Sequence, residues 1–198
     1  MTDPQTWVAP TYQGLAELLT APAAEAWDAP SLCGGWRVRH VIAHVTMPAR
    51  LTPEQFGAEL AAARGDFAVL SETVAMRDAA LPLSELLDQL RSESLHRWQP
   101  PVAGAAGALN HAVIHSLDVT IALDQPPVAP AAAVAAVLDQ LSTARGTLFG
   151  VDLTDVRLEA TDTDWSWGGG QLVRADSGSL VALLSGRTLP DGRTLPRG

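Results

Sequence analysis

Apolar side chains recur at helical spacing over residues 11–26 (TYQGLAELLTAPAAEA), with Pro22 marking a late break or a second short turn. The period lapses in residues 28–36 (DAPSLCGGW), where Gly34 and Gly35 stop regular structure before Trp36. It resumes in residues 37–45 (RVRHVIAHV), ends near Pro48, and returns over residues 53–78 with a break at Gly65. From Pro82 the run LPLSELLDQLRSESLHRW reads as helix, with Ser84 and Glu85 at its start, and it stops before Pro100 and Pro101. Residues 105–123 form a further helix, cut off by DQPPVAP, and the Ala-rich segment 130–150 gives another, closed by Gly146 or Gly150. The character then changes. VRLEATD (156–162) alternates like a strand, DWSWGGG (164–170) reads as a turn, QLVRAD (171–176) as a second strand and SGSLVALLSG (177–186) as a helix. The expected fold is mainly α, a helical bundle over residues 1–150 with a small C-terminal α+β region over residues 151–198 whose tail is irregular.

Composition narrows the function classes. At 198 residues and 47% hydrophobic content the chain can bury its own core. A net charge of -9 with few, scattered basic residues argues against nucleic acid, which needs clustered cations. No stretch approaches the roughly 20 apolar residues of a membrane span, and MTDPQTW has neither a basic nor an apolar leader region, so the expectation is a cytoplasmic protein with no membrane partner. Cys33 is the sole cysteine, which excludes an internal disulfide and a cysteine-based zinc cluster. Any metal must therefore rest on histidines and carboxylates.

Three histidines suit that purpose. His111 and His115 lie four apart in LNHAVIHSLDV and project from one helix face about a turn apart, so their imidazoles can meet one ion. His44 supplies a third nitrogen from the second helix. His40, also four residues from His44, offers a rival pairing; it sits by Arg37 and Arg39, whereas His44 lies among Val41, Ile42, Ala43 and Val45. Three neutral nitrogens leave a coordination position open, as a catalytic ion requires. Asp118, three residues after His115, shares its face and can hydrogen-bond a ligand's second nitrogen, with a solvated carboxylate as the plainer alternative. His96 has no partner at metal spacing, Trp36 reads as packing, and Cys33 reads as an unreactive loop thiol. Metal-assisted hydrolysis, with Asp118 as the base, and metal binding without catalysis both fit this pattern, and apolar helix faces leave a homodimer open.

Three stretches carry a family likeness: PSLCGGWRVRHVIAHV, HAVIHSLDVTIAL and LEATDTDWSWGGGQLVRADSGSLVALLSGR. Together they resemble the DinB-like superfamily, in its actinobacterial branch of maleylpyruvate isomerase-like, mycothiol-dependent enzymes. The resemblance implies an up-up-down-down four-helix bundle with a small C-terminal α+β extension. It also implies a divalent metal, Zn²⁺ with Ni²⁺ as the alternative, held by His44, His111 and His115. Mycothiol would be the thiol cosubstrate and an electrophilic small molecule the second partner, giving S-transfer or cis–trans isomerisation. A non-catalytic DinB-like stress or sensing protein is the alternative. At the position of His111 the isomerase branch carries Glu, whereas the wider superfamily often has His. Arg187, which ends the third stretch, is a candidate clamp for a substrate carboxylate through two parallel hydrogen bonds; a helix C-terminal charge is its plainer role.

Overall fold

The computed structural model describes residues 2–20 and 24–198, so Pro22 lies outside the described residues. Asp3 accepts from Gln5 N–H and caps a 3₁₀ turn, Pro4–Trp7, that leads straight into α1, Val8–Thr20. The short α2, Ala24–Asp28, precedes the Cys33 loop, and α3 follows over Val38–Val45 with Arg37 at its cap. α4, Met47–Arg50, continues almost directly from α3.

The long helical stretch 53–78 breaks where glycine was expected to break it. α5, Pro53–Ala62, ends before Arg64 and Gly65, both at positive φ, and Asp66 then caps α6, Phe67–Asp78, by accepting from Ala68 N–H and Val69 N–H. The run after Pro82 divides into α7, Leu83–Leu90, and α8, Glu93–Arg97, because the Ser92 hydroxyl accepts from Leu95 N–H and starts a new helix. α9, Gly104–Thr120, carries His111, His115 and Asp118; α10 spans Ala131–Thr143.

The C-terminal region adds β1, Val156–Ala160, β2, Ser166–Gly168, β3, Gln171–Ala175, and α11, Ser177–Leu184. β1 lies in the middle, antiparallel to β2 and parallel to β3. The segment expected only to turn, DWSWGGG, thus supplies a strand: Glu159 pairs with Ser166 and Arg157 with Gly168. Its glycines then carry the chain tightly across the start of β1. A Cβ on Gly168 would stand 2.3 Å from the Val156 carbonyl oxygen and one on Gly170 2.2 Å from that of Asp155, and both residues have positive φ. No other residue type fits that crossing.

α9 is the axis of the molecule. It packs against α1, α3, α10 and α11, while α3 also packs on α6. From Ala112 onward almost every α9 residue is buried, including Ser116, Asp118 and Thr120, which is the pattern of a helix covered on all sides. The apolar core is continuous from Tyr12 and Leu15 through Val41, Leu117 and Leu138 to Leu158 and Leu183. The mainly helical architecture with a small C-terminal α+β region is as the sequence led one to expect, and the sheet has three strands where two were expected. Among the described residues, no helix is long and apolar enough to cross a membrane.

Candidate metal centre

α3 and α9 bring His44, His111 and His115 together, with one nitrogen from each within 4.8 Å of the others. Their rings meet edge to face at centroid separations of 4.8–5.1 Å: His44 to His115 4.8 Å, His44 to His111 5.1 Å and His111 to His115 5.0 Å. His40 stays outside, where its Nδ1 accepts from Arg37 N–H at 3.0 Å and serves the start of α3. His96 faces the carbonyl of Leu90 through Nε2 at 2.8 Å and stacks on Tyr12.

Each of the three rings has its Nδ1 engaged by a different side chain. Ser71 Oγ of α6 lies 2.9 Å from His44 Nδ1, Tyr12 Oη of α1 lies 2.9 Å from His111 Nδ1, and Asp118 Oδ2 lies 2.9 Å from His115 Nδ1. These contacts leave the three Nε2 atoms for a shared centre. His111 Nε2 stands 3.2 Å from His44 Nε2. Two nitrogens bound to one tetrahedral zinc at about 2.0–2.1 Å each would lie about 3.3 Å apart. The donor set therefore fits a divalent ion in spacing and in kind: one buried and two half-buried imidazoles, each oriented by an outer hydrogen bond.

Protonation agrees with that role. Burial, reinforced by His115, Arg187 and Arg50, pushes His44 down to about 3 against the pull of Asp118, and burial, reinforced by His115 and His44, leaves His111 well below its ordinary value. Both rings are neutral at pH 7 with lone pairs available. Burial raises the Tyr12 phenol, so it keeps its proton and serves His111 as a hydroxyl.

Asp118 anchors a second layer. It is 1% exposed, and burial alone would raise its carboxyl, yet hydrogen bonds from Arg187 and His115 outweigh burial and hold it below the usual carboxylate range. Arg187 Nε reaches Oδ1 at 2.7 Å and Nη2 reaches Oδ2 at 2.9 Å, a two-pronged pair. An ionised carboxylate can only accept, so His115 Nδ1 donates to Asp118 Oδ2. Arg187 thus spends its fork on Asp118, and its remaining Nη1 points at the Ser185 carbonyl.

Cys33 joins this layer from the loop before α3. Leu32 N–H donates to the Asp118 backbone carbonyl at 3.1 Å, Gly35 turns the chain at φ +79°, and the Cys33 thiol donates to Asp118 Oδ2 at 3.0 Å. Burial and the Asp118 charge push the thiol up despite Arg187, so it stays protonated at neutral pH. Cys33, His115 and Asp118 also lie within ligand spacing of one another. A neutral thiol and a carboxylate whose oxygens are already filled by donors make that triangle the poorer metal site.

Tyr12, Ser71 and Cys33 had not been singled out for the site by sequence reasoning. Tyr12 and Ser71 contact histidines 99 and 27 positions away, and Cys33 contacts a carboxylate 85 positions away. One usable signal existed for Tyr12: it sits on the apolar face of α1 with Leu15, Ala16 and Leu19, where a phenol hydroxyl needs a partner.

Residues 8–98 match the family model of the mycothiol maleylpyruvate isomerase N-terminal domain. The match takes in Tyr12, Cys33, His44 and Ser71, while His111, His115, Asp118 and Arg187 lie beyond it. Two solved structures are distantly similar along the chain. A histidine-to-alanine mutant of the mycothiol-dependent maleylpyruvate isomerase gives a TM-score of 0.48 at 17% identity, covering 98% of this chain and 95% of that one. The enzyme without that change gives 0.46 at 18% identity with the same coverage. No curated protein matches the chain.

Proposed function

We propose that this chain is a divalent-metal-dependent enzyme that works with a low-molecular-weight thiol, mycothiol by the analogy of the domain family that residues 8–98 match, as an S-transferase or as an isomerase acting through reversible thiol addition. The observation that carries the reading is the outward partnering of all three imidazoles, whose Nδ1 atoms are taken by Ser71, Tyr12 and Asp118 while one nitrogen of each ring lies within ligand spacing of the others and the His44 and His111 Nε2 atoms stand 3.2 Å apart. His44, His111 and His115 would hold the ion. A divalent ion with an open position lowers the pKa of a thiol there enough to present it as a thiolate at neutral pH.

The rest of the work falls to the chain. Asp118 fixes the His115 tautomer and places one full negative charge behind a neutral ligand set. Arg187 keeps that carboxylate ionised and immobile, because a buried charge without a partner would neutralise or move. Tyr12 and Ser71 hold the other two rings in orientation. Cys33 is not the nucleophile in this reading, since its thiol is protonated and committed to Asp118.

The purified protein should take up about one divalent ion per chain, by plasma emission analysis, and His44→Ala or His115→Ala should lose it. The metal-loaded form should consume mycothiol in the presence of monobromobimane or chlorodinitrobenzene faster than the uncatalysed rate. A chain that stays metal-free when supplied with Zn²⁺ defeats the site; metal uptake with no acceleration for any of several thiols points to metal binding without catalysis.

A further inference from the structure

A cavity of about 540 Å³ opens beside His111, within the roughly 300–1,000 Å³ typical of small-molecule sites. Met47, Leu51, Phe56, Phe67 and Trp98 form its walls, together with a run of prolines, Val102 and Ala103. Among the described lining residues only Trp98, Gln99 and His111 carry side-chain nitrogen or oxygen, and none is an acidic residue, Lys or Arg. The cations nearest in sequence are turned to other work. Arg50, between the lining residues Pro48 and Leu51, is bound by Asp78, Gln89, Thr46 and the Ala43 carbonyl, and Arg97, beside Trp98, is paired with Glu93. Arg187, the remaining cation at the centre, is held by Asp118.

The position of the cavity ties it to the metal centre. Trp98 packs on His111 with ring centroids 5.3 Å apart, so the apolar wall runs to the edge of one of the three convergent imidazoles. The mouth is apolar as well: Phe67 is 53% exposed and Val102 fully so. On the walls away from His111 a carboxylate would lose its water and meet no cationic side chain. An aromatic or alkyl surface would shed water at both faces and gain contact with three rings.

We propose that the cavity beside His111 binds the second substrate and selects an uncharged molecule with an aromatic or extended apolar body, against anionic dicarboxylates. This rests on the metal-and-thiol reading for the word substrate, but binding in the cavity is measured separately from metal uptake and catalysis.

The test titrates the metal-loaded protein with N-phenyl-1-naphthylamine, an uncharged two-ring probe that fluoresces in apolar surroundings. A saturable, one-site rise is expected, reversed by the uncharged enone benzylideneacetone and not by maleate at equal concentration. Phe67→Asp, at a half-exposed position on the first turn of α6 where an acidic residue is compatible with the helix, should weaken probe binding about tenfold and leave the bound metal at one ion per chain. No saturable rise, displacement by maleate as effective as by the enone, or unchanged affinity in Phe67→Asp overturns the proposal. Probe binding in a protein that takes up no metal instead overturns the metal reading and leaves the pocket standing.

Discussion

Tyr12 and Ser71 set the orientation of two rings they do not adjoin in sequence, and their hydroxyls are the most exacting test of the centre at the scale of single residues. A hydrogen bond to the far nitrogen of a ligating imidazole fixes its rotation, and loss of such partners typically weakens metal binding 10- to 100-fold. Tyr12→Phe removes one oxygen from a fully buried ring and little else, so the fold should persist. Its metal affinity should fall about tenfold or more, read by competition with a chromogenic chelator; unchanged affinity would show that the Tyr12–His111 contact does not orient a ligand. His111 and His115 were legible beforehand as a pair because i, i+4 spacing on a helix needs no tertiary information. Tyr12 and Ser71 were not, since a hydroxyl 99 residues away leaves no mark on the local pattern.

At the scale of elements, Arg50 joins α3, α4, α6 and α7 around one guanidinium, with Asp78 Oδ2 at 2.8 Å and both side chains largely buried. Burial would raise the Asp78 carboxyl, but hydrogen bonds from Arg77 and Arg50 outweigh it and leave it depressed. A depressed carboxyl contributes its stability in full above the unfolded value near 3.8 and loses it as the pH falls through the lower folded value. Asp78→Asn should therefore cost about 3 kcal/mol at pH 7 and should lose less further stability than the parent between pH 5 and pH 3, by urea unfolding. An acid limb as steep as the parent's would remove Asp78 from that role. The boundaries of these helices were only partly legible. Gly65 announced its break, whereas the Ser92 break within 81–98 was hidden because serine caps one helix and sits inside another with equal ease.

For the whole molecule, α9 and the bond from Arg187 to Asp118 make the C-terminal region a structural part of the centre. Residues after 150 supply both the α11 face against α9 and the cation that neutralises a carboxylate 1% exposed. Bundle and extension share one apolar core. The full chain, in its metal-free form, should unfold in a single step, with far-ultraviolet circular dichroism coinciding with fluorescence from tryptophans in both regions, such as Trp27 and Trp165. Two separated transitions would show that the extension folds on its own account.

By itself the sequence determined the helices, their approximate ends, the unbalanced negative charge and the placing of His111, His115 and Asp118 along one helix face, because period, punctuation and spacing act over a few residues. Tertiary structure decided the rest. It gathered His44 with His111 and His115 and left His40 at the start of α3. It made a strand of DWSWGGG, because β1 offered an edge that local sequence cannot reveal. It also bound Arg187 to an internal carboxylate and left a pocket lined by no charged side chain beside His111. Which groups are desolvated together depends on distant parts of the chain, and desolvation governs both the protonation of the histidines and the kind of molecule that can approach them.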